Sequence, residues 1–402
     1  MSSTTRTIKS MNALFIGMSF LFIGNSLIVS SVGVILKNSQ MSDTAIGLIS
    51  SCFFIGALAA TISGHRIISR VGHIRSFGIF AALFAISSLF HAFSDNLYLW
   101  SIYRLMLGFC YYGVLMVIES WLNEKAKNEV RSRVLGFYEV VYYIASGLGV
   151  LIIALNLSKD DLFILSACLI MFSTIPLYLI RIKEPLLPKK EPISLPKIFD
   201  IAPLALVTAF IAGMLVNGFF AMASVFMLKQ GFDVRAVSYF IASAMCGGFL
   251  AQSVIGIVSD KLGRKFAIML CSGVAFAVMT CFLFFNLPLI LQCALAVPLG
   301  GGVFCLYALS LARANDMAAE SGSKYKGKSV ELGRGILFCY SFGSLFAPVI
   351  LGVLMEYFDT QGFCYFYLAS LGFCLIFAIN KPNVLGKSKK TPRNPGSTVM
   401  MQ

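Results

Sequence analysis

The chain has little charge for its length. Asp, Glu, Lys and Arg make up only 12% of its 402 residues, whereas hydrophobic residues make up 58%. A typical soluble domain is about 25% charged and roughly 45 to 50% apolar. A water-soluble fold cannot bury so much apolar surface, so the composition excludes a soluble globular protein and indicates one that lies in a lipid bilayer.

The residues on which enzymes and metal sites depend are also scarce. The three histidines (His65, His73 and His91) are scattered, the eleven cysteines form no CxxC pair, and there is no P-loop, HExxH or GxSxG motif. These absences argue against ATP-driven chemistry, zinc hydrolysis and nucleophilic catalysis. We therefore expect no catalytic residues, no metal site and no cofactor.

Twelve apolar runs are long enough to cross a bilayer as helices, which takes about 20 residues each. Trp100 and Trp121 stand near the two ends of the fourth run, where we expect them to mark the two membrane interfaces. The pattern predicts an all-α integral membrane protein with twelve transmembrane helices. The predicted spans are 11–36, 44–64, 76–94, 98–121, 134–156, 161–181, 201–228, 236–259, 266–286, 288–312, 329–356 and 360–380.

Basic residues follow an alternating pattern along these spans. If the N-terminus is cytoplasmic, 26 of the 32 Lys and Arg fall in the N-tail, the even-numbered loops and the C-tail. The opposite loops hold four: Lys37, Lys159, Lys229 and Arg235. Cationic loops resist translocation, so we predict that both termini are cytoplasmic and that the protein crosses the cell inner (cytoplasmic) membrane many times. The net charge of +14 is thereby explained without a nucleic-acid partner, and membrane lipid is the expected surrounding.

An internal repeat divides the chain into two halves. Shifting the sequence by about 191 residues places Gly56 on Gly247 and, in a second region, Gly108 on Gly300. We predict two pseudo-symmetric six-helix bundles. The predicted boundaries are 1–182 for the N-terminal bundle, 183–200 for a cytoplasmic linker, 201–380 for the C-terminal bundle and 381–402 for a cytoplasmic tail that we expect to be disordered.

The loop between the eighth and ninth spans carries the strongest local motif. Residues 256–265 read GIVSDKLGRK, which has the pattern GxxxDKxGRK. Here the chain resembles the major facilitator superfamily, in which this motif lies between the second and third spans and often again between the eighth and ninth. The resemblance implies a latch between conformations; the alternative is a generic basic turn after a glycine-bearing helix. The motif residues are Gly256, for close helix approach, Asp260, for a helix cap or ion pair, Lys261, Gly263, for a tight turn, and Arg264.

The copy of this motif in the first half is incomplete. Ser69 stands where Asp260 does, so we do not expect a latch built on a carboxylate there. Arg70, Gly72 and Arg75 keep the character of the motif. The whole chain also resembles the YcaD-like branch of the superfamily, through RVGHIR at 70–75, ESWLN at 119–123 and ARAND at 312–316.

Ionisable residues within spans are costly and therefore candidates for function. Arg104 and Gly108 match the RxxxG core of a fourth-helix motif that, in proton-coupled members of the superfamily, is implicated in proton transfer. Snorkelling of Arg104 to the nearby interface is the alternative. Glu139 is a candidate proton site, although an ion-pair network at the cytoplasmic gate, including Glu119 with Arg131 and Arg133, also explains both acids. Glu331 and Arg334 are spaced to pair with each other.

The resemblance also implies which helices line a central cavity, namely the first, fourth, seventh and tenth, with the fifth at its border. Their midplane residues offer stacking and hydrogen bonds with little fixed charge, which suits a moderately polar or aromatic solute. We expect no acid at this depth to bind a bare cation. Tyrosines that only pack between helices are the alternative. The candidate substrate-binding residues are Asn25, Ser26, Tyr111, Tyr112, Tyr142, Asn217, Phe304 and Tyr307, with Tyr138 and Tyr143 nearby.

Together these features predict a monomeric secondary active transporter that moves a small organic solute by alternating access and is driven by protons. Efflux is slightly favoured over uptake by Arg104 and the aromatic cavity, although the fifth span lacks the GPxxGG signature of many drug/proton antiporters. A transporter-like membrane sensor that binds a solute without moving it is the alternative.

Overall fold

The computed structural model describes residues 11–125, 131–179, 199, 202–320 and 329–383. The predicted linker and most of the predicted tail lie outside the described residues, as do the side chains of Arg131, Arg133, Glu331 and Arg334. The helices are Asn12–Asn38, Asp43–Val71, His73–Ala92, Leu97–Lys125, Arg131–Ile152, Lys159–Phe172, Ile175–Leu179, Pro203–Lys229, Val234–Leu262, Arg264–Phe284, Leu289–Phe304, Leu306–Glu320, Ser329–Phe358 and Thr360–Ile379, with a 3-10 turn at Ile153–Leu155.

Within the described residues, twelve helical stretches have the length and hydropathy of membrane spans, which confirms the predicted all-α transmembrane fold. Two spans are each made of two helices. The sixth is interrupted at Ser173 and Thr174, and the tenth at Cys305. The first interruption precedes Pro176, whose ring and missing N–H disfavour a continuous helix at that point.

Alternate loops lie on opposite faces of the bundle because successive spans run in opposite directions. We call the face with the turns at 39–42, 93–96, 230–233 and 285–288 the odd-loop face. The face with the turns at Gly72 and Gly263 is the even-loop face. The distribution of Lys and Arg predicts that the even-loop face is cytoplasmic.

The repeat seen in the sequence reappears in the contacts between helices. A Cβ atom on Gly56 would collide with the carbonyl oxygen of Leu105, and one on Gly108 would collide with that of Phe53. The second and fourth spans therefore cross with their backbones in close contact, which only glycine permits. The eighth and tenth spans cross in the same way at Gly247 and Gly300.

Turns and caps repeat as well. Gly72 and Gly263 have φ angles of 87° and 98°, a region that favours glycine, and each ends one span and starts the next. Ser42 caps the second span by accepting a hydrogen bond from a backbone N–H, and Asp233 caps the eighth in the same way. Both pairs are related by the repeat of 191 residues, so the duplication extends to the ends of the helices.

The two halves meet along paired spans. The second span packs against the eleventh, the first against the seventh, and the fifth against the eighth. Each of these pairs joins one helix of the first half to one of the second. The surface between the halves is therefore enclosed by helices from both of them.

The two tryptophans of the fourth span have their rings inside the protein. Trp100 and Trp121 lie near the two ends of the fourth span, but both are almost completely buried. The Trp100 ring packs edge-on against His91 and its Nε1 donates a hydrogen bond to the carbonyl oxygen of Ser94 at 2.6 Å, while Trp121 packs against His73. Their positions keep them near the two ends of the span, as predicted, but both rings point into the protein, because position along a helix sets depth and not the direction in which a ring points.

Candidate transport cavity and its gates

A cavity of about 270 Å³ lies between the two halves. Residues of eight spans form its wall, namely the first, second, fourth, fifth, seventh, eighth, tenth and eleventh. These spans come in consecutive pairs along the chain, and they converge on the interface between the bundles. Aromatic side chains dominate this wall. They are Phe53, Phe54, Tyr111, Tyr112, Tyr138, Tyr142, Tyr143, Phe220, Phe304, Tyr307 and Tyr340.

The structure brings together all eight residues that the sequence analysis proposed for substrate binding. Asn25, Ser26, Tyr111, Tyr112, Tyr142, Asn217, Phe304 and Tyr307 all line the cavity. Sequence reasoning missed wall residues of the second, eighth and eleventh spans, because it considered mainly the helices that the resemblance named. Those wall residues include Phe53, Met245, Gln252 and Tyr340. A search for polar or aromatic positions in every span would have included them.

Two carboxylates also lie on the wall, Glu119 and Glu139. Both lie near the ends of their spans and not at the midplane, where the sequence analysis expected no acid. Glu119 is close to the end of the fourth span and Glu139 is near the start of the fifth, so the cavity extends from the midplane towards the even-loop face. Among the described side chains, neither glutamate forms an ion pair.

Amide side chains connect the wall across and within the halves. Gln252, on the eighth span, donates a hydrogen bond from Nε2 to the Tyr143 hydroxyl on the fifth at 3.1 Å. Asn217 Nδ2 donates to the hydroxyl of Ser344 at 2.7 Å, which joins the seventh and eleventh spans. The first bond spans the two bundles, so it must change when the bundles move relative to each other.

Arg104 lies apart from the cavity wall. Its side chain is 1% exposed, its Cζ lies 5.0 Å from the centre of the Phe53 ring, and its Nε and Nη1 have no hydrogen-bond partner among the described residues. It packs inside the protein and does not snorkel to the surface. Phe53 lines the cavity, so Arg104 contacts a residue of the wall without lining the cavity itself. Glu139, the other residue predicted to take part in coupling, lines the cavity directly.

An ion cluster joins the two halves at the odd-loop face. Asp43, at the start of the second span, is 2% exposed and pairs with Lys37 at 2.6 Å and with Lys229 at 2.5 Å. Lys229 ends the seventh span and also pairs with Asp359 at 2.9 Å and donates to the carbonyl oxygen of Met355 at 2.8 Å. We call Lys37, Asp43, Lys229 and Asp359 the odd-face ion cluster.

This cluster holds the bundles together on one side of the cavity. Lys37 and Asp43 belong to the first half, whereas Lys229 and Asp359 belong to the second. The backbone N–H of Thr44 donates to Glu356 Oε2 at 3.2 Å, a further bond between the halves. The odd-loop face is therefore closed.

On the even-loop face, the residues of the predicted latch bond within the second half. Arg264 pairs with Asp260 through Nη1 at 2.7 Å and with Asp316 through Nε at 2.7 Å, and it also donates to the Ser259 hydroxyl. Asp316 is near the end of the tenth span, so the motif links the eighth, ninth and tenth spans. Lys261 is exposed.

Gly256 does not serve as the close contact that the sequence analysis expected. A Cβ atom there would meet nothing within 4 Å, since Gly256 lies on an exposed side of the helix. Gly263, in contrast, has the positive φ predicted for a tight turn. The side chain of Asn383 lies directly against it and donates to the carbonyl oxygen of Leu262 at 2.9 Å.

The corresponding loop of the first half uses different chemistry. Gly72 makes the same turn as Gly263, and Arg70 is exposed. His73 stands where the repeat places Arg264, and its Nε2 lies 2.9 Å from the Ser120 hydroxyl. At this position of the repeat a buried histidine takes the place of an arginine, and Ser69 takes the place of Asp260.

These features define a class of protein. Two pseudo-symmetric six-helix bundles, a cavity between them and a closed face on one side are the parts of a membrane transporter that works between two halves. The chain belongs to the major facilitator superfamily, since the sequence model of the Major Facilitator Superfamily matches residues 14–326.

Similar proteins lie in the branch that the motifs indicated. The chain is 23% identical over 386 residues to the uncharacterized MFS-type transporter YcaD of Salmonella arizonae, covering 94% of this chain and 96% of that one. It is equally similar to YcaD of Escherichia coli O17:K52:H18, with the same identity and coverage.

Solved structures share the fold. A bacterial homolog of the human lysosomal transporter Spinster, in an inward-facing and unoccupied conformation, superposes with a TM-score of 0.70 at 13% identity, covering 94% of this chain and 96% of that one. The nucleoside transporter NupG superposes with a TM-score of 0.71 at 15% identity, covering 92% and 97%. At such identities the likeness establishes the fold alone.

Proposed function

We propose that this chain is a secondary active transporter that moves a small organic solute across the inner membrane by alternating access, coupled to protons and in the direction of efflux. The observation that carries the proposal is the cavity between the halves, closed at the odd-loop face and extending towards the even-loop face. The Lys and Arg distribution supports an even-loop face in the cytoplasm, and this conformation then presents the cavity to the cytoplasmic side.

Exchange of access requires the odd-face ion cluster to break and contacts near the even-loop face to form. Arg264, with Asp260 and Asp316, holds the ends of three spans of the second half as one unit, which suits movement of that half as a rigid body. Ser69 stands in the first half where Asp260 stands in the second, so we propose that the carboxylate-centred latch is confined to the second half.

The proposed proton coupling rests on groups that can exchange protons within the pathway. Glu139 lies on the cavity wall and near Gln252, which bonds across the halves. A change in the protonation state of Glu139 then alters the Gln252–Tyr143 hydrogen bond between the bundles, which links proton binding to their movement. Arg104 contributes through its contact with Phe53.

Flux in proteoliposomes under an imposed pH gradient tests this proposal. We expect solute movement against its own gradient when protons flow the other way, and loss of that movement in Glu139→Gln while the variant still inserts. Movement of the solute in the same direction as the protons would show uptake. Solute flux that is indifferent to the pH gradient would refute proton coupling.

A membrane sensor is the second candidate function, and the departures from the loop motif at His65 and Ser69 favour it, because a sensor needs no complete latch. Binding of a solute to the purified protein with no flux in either direction would establish that function. The branch itself gives no substrate, so a thermal-shift screen on the purified protein is the first step, since a bound ligand stabilises the native state.

A further inference from the structure

The cavity wall is unbalanced in charge. It holds two carboxylates, Glu119 and Glu139, and among the lining residues that the structure describes there is no Lys, Arg or His. The nearby Arg104 packs behind the Phe53 ring and is not on the wall. A cavity of this kind attracts cations and repels anions, most strongly where water is excluded and the effective dielectric constant is low.

The aromatic rings give this charge a particular setting. The Tyr307 and Tyr340 ring centres lie 4.7 Å apart, and Phe220 and Phe304 stack at 5.5 Å with an angle of 17° between their planes. These four rings belong to the second half, and the Tyr142 and Tyr143 ring centres of the first half lie 5.3 Å apart on the same wall, so rings of both halves surround the cavity. The face of an aromatic ring attracts a cation within about 6 Å of its centre, and cages of such rings recognise quaternary ammonium groups.

Polar atoms on the wall also lack partners. Ser30 is completely buried, and its Oγ has no hydrogen-bond partner among the described residues. The Oδ1 atom of Asn25, one turn away on the same span, is likewise unpartnered, and both residues line the cavity. Both oxygens carry partial negative charge that no donor among the described residues offsets, which adds to the attraction of the wall for a cation.

From these three observations we infer that the cavity binds an organic cation, in which an ammonium group faces Glu119 and Glu139 and an apolar or aromatic body packs against the tyrosines and phenylalanines. The volume of about 270 Å³ suits a small molecule of this type. This assignment of substrate class rests on the proposed function only in using the same cavity. It narrows the moderately polar or aromatic solute of the sequence analysis to one that carries a positive charge.

The test uses two probes of similar shape and opposite charge on the full-length purified protein. Benzyltrimethylammonium carries the cation and phenylmethanesulfonate carries an anion on the same benzyl group. Isothermal titration calorimetry gives the dissociation constant of each probe. The cation is expected to bind at least tenfold more tightly than the anion, a difference of about 1.4 kcal/mol in binding free energy.

Variants of the two glutamates locate the binding. Glu119→Gln and Glu139→Gln are each expected to weaken binding of benzyltrimethylammonium about tenfold, whereas Glu139→Asp, which keeps the charge, retains it within about threefold. Asp160→Asn is the matched control because it removes a carboxylate that is exposed and distant from the cavity wall. The melting temperature shows whether a glutamine variant has failed to fold. In that case, binding of benzyltrimethylammonium to the aspartate variant and to the other glutamine variant tests the inference.

Flux of the same two probes in proteoliposomes separates this inference from the proposed function. Binding of the cation without flux leaves the inference standing and refutes transport. Flux of the anion with equal or tighter binding refutes the inference and leaves transport standing. Binding of the cation that is unchanged in both glutamine variants, or no binding of benzyltrimethylammonium at about 10 mM, also overturns the inference.

Discussion

Replacing Lys229 by Met tests whether the odd-face ion cluster holds the two halves together. Lys229 contributes a contact with Asp43, whose carboxylate is 2% exposed, and one with Asp359, which is 70% exposed. Hydrogen bonds to charged groups in buried settings contribute about 1.5–3 kcal/mol, and exposed pairs about 0.2–1 kcal/mol. Methionine keeps most of the side-chain length and removes the charge.

Asp43 keeps its partner Lys37 at 2.6 Å in this variant, so no buried carboxylate is left unpaired. The change therefore acts mainly on the contact between the halves. Only the contact of Lys229 with Asp43 crosses between the halves, because Asp359 belongs to the second half as Lys229 does. That contact favours the conformation closed at the odd-loop face by about 1.5–3 kcal/mol. Since about 1.4 kcal/mol is a factor of ten, Lys229→Met is expected to shift the equilibrium towards opening of that face by roughly 10-fold to 150-fold.

Electron paramagnetic resonance between two spin labels measures this shift. Labels at Leu155 and Gln361, exposed residues near the odd-loop ends of the fifth and twelfth spans, report the separation of the halves in a variant without the native cysteines. Lys159→Met is the matched control because Lys159 pairs with Asp95 within the first half. Identical distance distributions for Lys229→Met and the parent protein would refute the role assigned to the cluster.

Three further predictions concern packing, the latch and coupling. Gly300→Ala is expected to destabilise the protein in detergent by about 1–3 kcal/mol, seen as a lower melting temperature, because its Cβ meets the backbone of the eighth span. Gly273→Ala is the control and is expected to have no such cost, since its Cβ would meet nothing within 4 Å. Equal effects of the two variants would contradict the close crossing. Arg264→Ala and Asp316→Asn are expected to be non-additive by about 1 kcal/mol in a double-mutant cycle of thermal stability, and strict additivity would mean that their pair contributes nothing. Arg104→Ala is expected to abolish proton-driven flux without preventing insertion, with Arg104→Lys as a partial rescue; flux at the parent level would remove Arg104 from the coupling machinery.

The sequence predicted most of the fold because a bilayer makes simple demands on it. A span needs about 20 apolar residues and internal hydrogen bonds, so hydropathy locates the helices without knowledge of their packing. The predicted spans 266–286 and 288–312 leave the shortest connection of all, around Asn286 to Pro288. The structure has a turn at this place and starts the next helix at Leu289. The sixth span was not expected to break at Ser173 and Thr174, since hydropathy is blind to helix interruptions.

Side-chain direction is where sequence reasoning was less successful. Glu119 was assigned to the gate and the structure places it on the cavity wall, and the fourth-span tryptophans were assigned to the interfaces and lie inside the protein. Depth follows from residue number, because each residue of a helix rises about 1.5 Å. The side of the helix that faces a cavity, a neighbour or lipid depends on how the other helices are packed around it.

Four features follow from the amino-acid sequence alone: the number of spans, the duplication, the family motif around Asp260 and eight residues that line the cavity. Two others depend on the fold. Asp43 and Lys229, 186 positions apart, close one face, and two carboxylates meet an aromatic wall that has no cation among its described lining residues. The first set depends on periodicity and local chemistry along one helix at a time. The second depends on which surfaces of distant helices come together, and the free energy that selects this arrangement comes from packing and ion pairing between the two halves.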